Sequence, residues 1–471
     1  MMSGKSGILA DYEFTGDAGP EKRLGFLYLP FTVPEKACTI EVEYEYQGKG
    51  PGETTVDIGL FQPGTVDLIT GMKNLRGWSG SNKKSFTVSR EAATPSYLPG
   101  DIPPGEWKVI LGLYKIPDQG LRYRVKVRVY EGCLKTSSQS LPETSELVQG
   151  DSPKGWVKGD LHMHSVHSDG DSTLDQIAEV AGSLGLDFVS VTDHNVVSHI
   201  AELGFRSRFL GKVFFLRGVE LTTYRGHMNV YGVSEIPEFR IRSDEELKEV
   251  VAYLRSRGAF LSINHPKPLG PDWEFENLSF ADSLEVFHSV WEFNNYVSLR
   301  KWDQLLNNGF RIGLVGGSDA HEMRGKTSIL LPGTPTTWVY VDKLSEEGLL
   351  DGLRKQRVFV SESPSGPRIT LEAYADGKHY PLGGIVNSKE VKLRLRAEGG
   401  RGQSYRVISG GEVVASGVLD SDVFEKVFQI HLSSPYVRAE LVREAQAIDD
   451  PYHMENIISA LTAPIYLKVI N

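Results

Sequence analysis

The hydrophobic periodicity of the chain changes twice, and this limits the fold to β-rich units on either side of an α/β unit. Up to about residue 150 apolar and polar residues alternate. Ile40-Glu-Val-Glu-Tyr-Glu-Tyr46 does so strictly, the pattern of a strand with one wet face. Val56-Asp-Ile-Gly-Leu60, Val109-Ile-Leu-Gly-Leu113 and Val125-Lys-Val-Arg-Val129 follow it closely, with Gly- and Pro-rich turns such as Gly48-Lys-Gly-Pro-Gly52 between them. No helical period competes, so residues 1–150 are expected to form an N-terminal β-sandwich. The polar stretch Thr136-Ser-Ser-Gln-Ser-Leu-Pro-Glu-Thr-Ser145 reads as a linker.

From 151 to 365 strands and helices alternate. Leu174, Ile177, Ala178, Ala181 and Leu184 share one helical face ahead of the strand Asp187-Phe-Val-Ser-Val-Thr192. Ser243 caps a helix with Glu246 at the capping-box position, ending at Gly258 before Phe260-Leu-Ser-Ile263. Further helices are expected near 297–306 and over 346–355, the second capped by Ser345. Such repetition predicts parallel strands with helices outside. From 366 to 471 alternation returns, in Val391-Lys-Leu-Arg-Leu395, Val437-Arg-Ala-Glu-Leu441 and Ile465-Tyr-Leu-Lys-Val469, and predicts a C-terminal β-sandwich. At 471 residues, two or three domains are the expectation.

Composition narrows the function. A formal charge of −10 argues against gripping a nucleic-acid duplex by bulk charge, but not against a small anionic substrate, because a metal cluster supplies local positive charge. Two cysteines, Cys38 and Cys133, exclude a disulfide framework and a thiolate-rich zinc site. They are expected to be reduced thiols in a cytoplasmic protein, though a single bond between them stays open. The first residues form no secretory signal, and no apolar run is long enough to span a bilayer. Oligomeric state is not legible.

The middle unit carries the chemistry. His162 and His164 flank Met163, and on an extended chain such side chains share one face, so both imidazoles can reach one ion. Thr192-Asp-His-Asn195 ends a strand, Leu216-Arg-Gly-Val-Glu220 ends another, Ile263-Asn-His-Pro266 a third, and Leu314-Val-Gly-Gly-Ser-Asp-Ala-His321 a fourth. His227 follows the tight turn Tyr224-Arg-Gly226. In α/β architectures functional groups gather beyond the carboxyl ends of strands. Asp169, in Ser168-Asp-Gly-Asp171, is a turn former or a ligand. Nitrogen and carboxylate donors without sulfur suit Zn²⁺, Mn²⁺ or Fe²⁺. The donors exceed the needs of one tetrahedral ion, so two or three divalent ions sharing a carboxylate are expected. Two ions about 3.5–4 Å apart can hold a bridging hydroxide as nucleophile. No Gly-x-Ser-x-Gly elbow or Walker loop competes.

Asp160-Leu-His-Met-His-Ser-Val-His-Ser-Asp-Gly170, Val191-Thr-Asp-His-Asn195, Gly218-Val-Glu220 and Gly317-Ser-Asp-Ala-His321 resemble, in order and spacing, the motifs of the PHP (polymerase and histidinol phosphatase) family of metallohydrolases. The resemblance covers roughly residues 155–365. Gly226-His-Met-Asn229 and Gly333-Thr-Pro-Thr-Thr-Trp-Val339 are similar to local patterns of its CehA/McbA (carbaryl-hydrolase-like) branch. It implies a central distorted (β/α)7 barrel and up to three metals. His162, His164, Glu220 and Asp319 would hold the first, Glu220 with His227 and His265 the second, and Asp169, His194 and His321 the third. Other members place His near position 169, and here His167 lies two residues away. His288 departs from the family pattern and is left out as a hydrogen-bonded histidine.

Asp319, Glu220 and His194 are the expected catalytic groups, with Asp319 or a bound water carrying the proton. Asp160 and Asn195 are expected to orient ligands. Arg225 and Lys267 are the first choices for binding an anionic ester, ahead of Arg324 and Lys326. The expected activity is hydrolysis of a small-molecule phosphate ester. Hydrolysis of a carboxylic ester or carbamate is the alternative, and binding through the β-sandwiches is a reading of another class.

Overall fold

The computed structural model describes residues 7–134, 154–204, 209–268, 270–323 and 330–468. The expected linker at 136–145, the 150/151 boundary, and Arg324 and Lys326 lie outside the described residues.

The N-terminal alternation forms two antiparallel four-stranded sheets. One runs Ile8–Ala18, Leu121–Tyr130, Thr39–Gly48, Ser85–Ser89; the other runs Gly25–Val33, Gly105–Lys115, Thr55–Phe61, Leu75–Gly80. Val42, Ile58, Val109 and Val127 fill the space between them. The second sheet is covered on both faces along its inner strands. Thr55–Phe61 is buried almost throughout, because Phe61, Trp78 and Ile110 join the core of the middle unit instead of meeting water. Asp57 lies on that doubly covered strand.

Cys38 and Cys133 form a disulfide, not the expected reduced pair. Pairing of Thr39–Gly48 with Leu121–Tyr130 aligns Thr39 with Tyr130 and brings the two cysteines together. Linked cysteines are typical of oxidising compartments. Among the described residues no helix is long and apolar enough to cross a membrane.

The middle unit departs from uniform parallel pairing. Gly155–Met163, Phe188–Val191 and Val213–Phe215 pair in parallel. Gly218–Thr223, Gly226–Tyr231, Phe260–Ile263, Ser283–His288 and Gly313–Gly317 form a second sheet in chain order. Its first two pairings are antiparallel and its last two parallel. The reason is local. Gly226, at φ +138°, closes a tight hairpin that leaves no room for a crossover helix, and a Cβ there would lie 2.8 Å from the Trp273 ring. Isolated parallel bridges, His194 to Glu220 and Met163 to Ala320, join the two sheets. The described residues therefore give a mostly β, multidomain fold with five α-helices, and not a regular (β/α)7 barrel.

Caps place the helices as expected. Ser243 accepts from Glu246 N at 3.2 Å, but the Glu246 carboxylate returns to Arg242 N at 2.7 Å rather than closing a box on Ser243. Ser345 accepts from Gly348 N at 3.1 Å.

The C-terminal segment is not a detached sandwich. Lys378–Tyr380, Arg368–Ala375, Glu390–Glu398 and Val423–His431 form their own sheet. Ile457–Thr462, Tyr436–Glu444, Ser404–Ser409 and Glu412–Val418 instead continue the sheet of Gly155–Met163, through Thr336–Val341 and Val358–Ser361. Strand pairing thus crosses the expected 365/366 boundary.

Candidate metal centre

All nine sequence-selected donors converge around Glu220. This carboxylate, 1% exposed, lies 3.4 Å from His162 Nε2, 3.5 Å from His164 Nε2, 2.8 Å from His194 Nδ1, 3.1 Å from His227 Nδ1 and 3.5 Å from His265 Nε2. Asp319 Oδ1 lies 3.3 Å from His162 Nε2 and 3.0 Å from His164 Nε2. Asp169, 40% exposed, completes the open side, 3.6 Å from His194 Nε2 and 3.3 Å from His321 Nε2. Three overlapping donor groups result: His162, His164 and Glu220; His194, Glu220 and His227; and His164, Asp169, His194 and His321. His194 thus lies in two groups, and Asp169, despite its turn, faces the cluster.

Strand ends cause the convergence. His162 belongs to Gly155–Met163, Glu220 and His227 to the two arms of the hairpin, and His194, His265, Asp319 and His321 follow strands within a few residues. His265 and Asp319 both have positive φ, 30° and 54°, which turns their side chains back over the sheet. Such backbone is sparsely populated and gathers at functional sites.

Tautomers decide whether these residues fit metal ions. His162 Nδ1 meets Glu285 Oε1 at 2.9 Å, His265 Nδ1 meets Pro271 O at 3.2 Å, and His321 Nδ1 meets Asp319 O at 2.8 Å. Carbonyls and carboxylates only accept, so each Nδ1 carries the hydrogen and a neutral ring offers its Nε2 lone pair inward. Those lone pairs face carboxylate oxygens 3.3–3.5 Å away. Acceptor facing acceptor is repulsive unless a cation lies between. A proton would draw the pair to about 2.7–2.9 Å. Two donors sharing one ion, each at about 2.0–2.2 Å, stand about 3.4 Å apart at a tetrahedral angle. His162 Nε2 and Glu220 Oε2 are also buried without a hydrogen-bond partner. The donor set therefore fits divalent metal ions.

Without metal, protons would occupy some of these positions instead. Burial disfavours charge on His194, yet Glu220 and Asp169 outweigh it and hold its pKa at about 9; His321, beside Asp169 and Asp319, is also held at about 9. His164 moves down to about 4 through burial and the neighbouring His321 and His194. Burial opposes ionisation of Glu220, but the imidazoles of His194, His162 and His227 keep its pKa well below the usual range. Metal must displace protons from His194 and His321. Apparent Zn²⁺ or Mn²⁺ affinity, read by competition with a chromophoric chelator, should fall about tenfold or more per pH unit from 8.5 to 6.5. A flat profile would contradict ligation by these imidazoles. In the metal-free fold the two raised pKa values stabilise below about pH 6.5, and that contribution is lost as pH rises through about 9.

Supporting residues lock the site. Asp160 is buried, accepts from His162 N and Ser318 N at 3.1 Å and Gly333 N at 2.7 Å, and has its pKa pushed up to about 6 by burial. Asn195 bonds both polar backbone atoms of Thr222 at 2.8 Å, and the Thr222 hydroxyl meets His194 Nδ1 at 2.6 Å. Both residues orient neighbours of the donors, in line with their expected place.

Sequence reading missed Glu285 and Asn264, and it set His288 aside as the hydrogen-bonded histidine that it is. Glu285 fixes His162 and accepts His265 N at 2.9 Å. Asn264 donates to Glu220 Oε1 at 2.8 Å. His288 Nε2 donates to Asp319 Oδ2 at 3.2 Å, while its Nδ1 is buried without a partner. A carboxylate amid the apolar run Leu284-Glu-Val-Phe287 was the available signal for Glu285.

The two cations expected to bind substrate both bond protein groups. Arg225 donates to Arg242 O and Glu274 O, both at 3.0 Å, and covers the Phe275 ring, so its guanidinium is engaged away from the donors. Lys267 is buried, bonds Asn295 Oδ1 at 2.8 Å, and burial lowers its pKa to about 7. Each cation thus has protein acceptors of its own.

No family model matches the chain. It is 26% identical over 206 residues to DNA polymerase/3'-5' exonuclease PolX of Bacillus subtilis (strain 168), covering 41% of this chain and 32% of the relative. The chain thus spans about a third of that relative's length. Among solved structures, a two-domain protein from Bacteroides vulgatus, described as containing a PHP-like metal-dependent phosphoesterase, is 18% identical with TM-score 0.39 and covers 66% of this chain and 97% of its own. A protein from Bifidobacterium adolescentis described as a metal-dependent phosphoesterase is 15% identical with TM-score 0.30, covering 43% of this chain and 97% of its own.

Proposed function

We propose that the protein is a metal-dependent hydrolase of the PHP type that cleaves phosphate esters. The observation that carries the reading is the set of Nδ1-pinned imidazoles whose Nε2 lone pairs face Glu220, Asp319 and Asp169. The order of the motifs supports it, as does similarity to a relative named for a 3'-5' exonuclease, which hydrolyses phosphodiesters. The eight strands named above from Gly155–Met163 to Gly313–Gly317, joined by the two isolated bridges, would make the distorted barrel of that type. Assignment to the carbaryl-hydrolase-like branch belongs to the same proposal and rests on the two local patterns named above.

Two or three divalent ions, when bound, would activate water and neutralise charge on the ester oxygens. His162, His164, Glu220 and Asp319 would hold the deepest ion, with Glu220 shared toward His227, His265 and His194, and Asp169, His194 and His321 on the open side. Glu285, Thr222 and the Asp319 carbonyl fix the rings of His162, His194 and His321, so little reorganisation is needed on binding. Asp319 is buried among His162 and His164, which hold it ionised despite burial. Its Oδ2, which accepts from His288 Nε2 at 3.2 Å, would be the acceptor for the proton released in hydrolysis.

A second reading, hydrolysis of a carboxylic ester or carbamate, is favoured by the aromatic cleft beside the cluster, which no Lys or Arg lines among the described residues. Assays of p-nitrophenyl phosphate, its bis ester and 1-naphthyl acetate with Mn²⁺ or Zn²⁺ separate the two. Phosphate turnover at least 100-fold above the His162→Ala/His164→Ala double variant is expected. Turnover of the carbon ester alone would favour the second reading, and turnover of neither would overturn both.

A further inference from the structure

The loop that carries Asp169 belongs to the middle unit, yet the N-terminal sandwich holds one side of it. On the inner side Asp193 accepts from Ser165 N at 2.8 Å and from Ser165 Oγ and Ser168 Oγ, both at 2.6 Å. These contacts satisfy donors of the loop. Its carbonyls at Val166, His167 and Ser168 are taken by the sandwich instead. Lys83 Nζ donates to Val166 O at 3.3 Å and to Ser168 O at 2.9 Å. Ser96 Oγ donates to His167 O at 2.7 Å, and Asn82 Nδ2 to Ser168 O at 2.7 Å. A carbonyl shut away from water needs a partner, and here a second unit supplies three in succession. Ser96 is buried and reaches His167 from backbone at φ +94°, a region that non-glycine residues rarely occupy. Burial lowers the pKa of Lys83, while the carboxylates of Asp193 and Asp169 hold it up, so its ammonium lies within electrostatic reach of both.

These contacts decide which side chain enters the cluster. The loop holds two side chains able to ligate a metal, His167 and Asp169. His167 Nδ1 meets Ser198 Oγ at 2.8 Å and its Nε2 meets Glu202 Oε2 at 3.0 Å, so its ring is engaged outside the donor groups. Asp169, two residues on, faces His194 Nε2 at 3.6 Å and His321 Nε2 at 3.3 Å. It is 40% exposed, so side-chain packing does little to hold it there. Its direction comes from the backbone on either side, and that backbone is pinned at Val166, His167 and Ser168 by the sandwich.

We propose that the N-terminal sandwich sets the open-side metal site, with Lys83, Asn82 and Ser96 as positioning residues that hold the loop so that Asp169, and not His167, meets His194 and His321. The proposal rests on the metal centre of the hydrolase reading. The defect it predicts is confined to one ion, since His162, Glu220 and Asp319 stand on other segments. Titration of the full chain with Mn²⁺, the free ion being read by electron paramagnetic resonance, separates tightly from weakly held equivalents. Lys83→Met, alone and with Asn82→Ala, should weaken the weakest equivalent by about tenfold or more, the scale for losing a partner beyond the ligand itself. The tighter equivalents should stay, and they report that each variant is folded. Asp169→Asn should reproduce the loss, and Lys83→Arg, which keeps a long donor, should restore most of the affinity. Tyr28→Phe is the control for docking in general. It removes the hydrogen bond that Arg240 of the middle unit gives the Tyr28 hydroxyl at 2.6 Å, at another point of the interface, and should change nothing. A weakest equivalent untouched by Lys83→Met with Asn82→Ala, or untouched by Asp169→Asn, would overturn the proposal and leave the hydrolase reading standing. So would equal weakening in Tyr28→Phe, or loss of every equivalent together in the single variants. No bound Mn²⁺ in the unaltered chain would sink the hydrolase reading, and the proposal with it.

Discussion

Glu220→Gln is expected to strip most bound metal from the cluster and to lower hydrolysis by more than about 100-fold, the upper end for loss of an outer-shell partner. The substitution keeps the shape and removes the charge. Five imidazoles lie within 3.5 Å of this carboxylate, and it is the acceptor for Asn264. A neutral amide cannot be shared between cations, and its NH₂ would point at a lone pair that should face an ion. Metal analysis after reconstitution is the direct readout. Retention of as much metal as the unaltered chain holds would show that Glu220 is not a ligand. His321→Ala gives the contrast. It removes a donor from the open side, 29% exposed, and leaves His162, His164, Glu220 and Asp319 in place, so part of the metal should remain.

Much of this centre was legible because ligand chemistry imposes residue types at strand ends. An i, i+2 pair of histidines, a carboxylate closing an apolar run, and Asp-Ala-His after Gly-Gly can each be picked out of the sequence without knowing the fold. Glu285 was harder to see. It contacts His162 and the His265 backbone, a relation between segments more than a hundred residues apart in one case and twenty in the other. The partners of Arg225 and Lys267 were hidden for a related reason. Proximity in sequence to a donor says nothing of direction, and here neighbouring carbonyls and Asn295 capture the cations. The hairpin at Gly226 shows that strands read correctly can still pair otherwise than the period suggests, because turn length decides orientation. The double coverage of Thr55–Phe61 was hidden in a strand that alternates in character yet contacts a core on each face.

The largest expected effect on stability lies outside the cleft, at Asp303. This residue of the helix Asn295–Asn307 is 1% exposed and accepts four hydrogen bonds, from Tyr436 Oη at 2.7 Å, Tyr452 Oη at 2.9 Å, and Arg438 Nε and Nη2 at 2.9 and 2.6 Å. Arg438 also pairs with Glu440, which in turn pairs with Arg406, and all three are fully buried. Two guanidiniums and two carboxylates balance. Asp303→Ala leaves one buried positive charge uncompensated and two tyrosine hydroxyls without an acceptor. Breaking a buried pair from one side costs about 3–5 kcal/mol, a large share of the stability of a typical domain. The same helix starts at Asn295, which holds Lys267 and the His288 backbone, so loosening it should also be felt on the strand carrying Glu285. Urea denaturation with and without metal would read both effects. A loss under about 1 kcal/mol would mean that the network relaxes or hydrates, and that the C-terminal sheet is not what anchors this side of the metal centre.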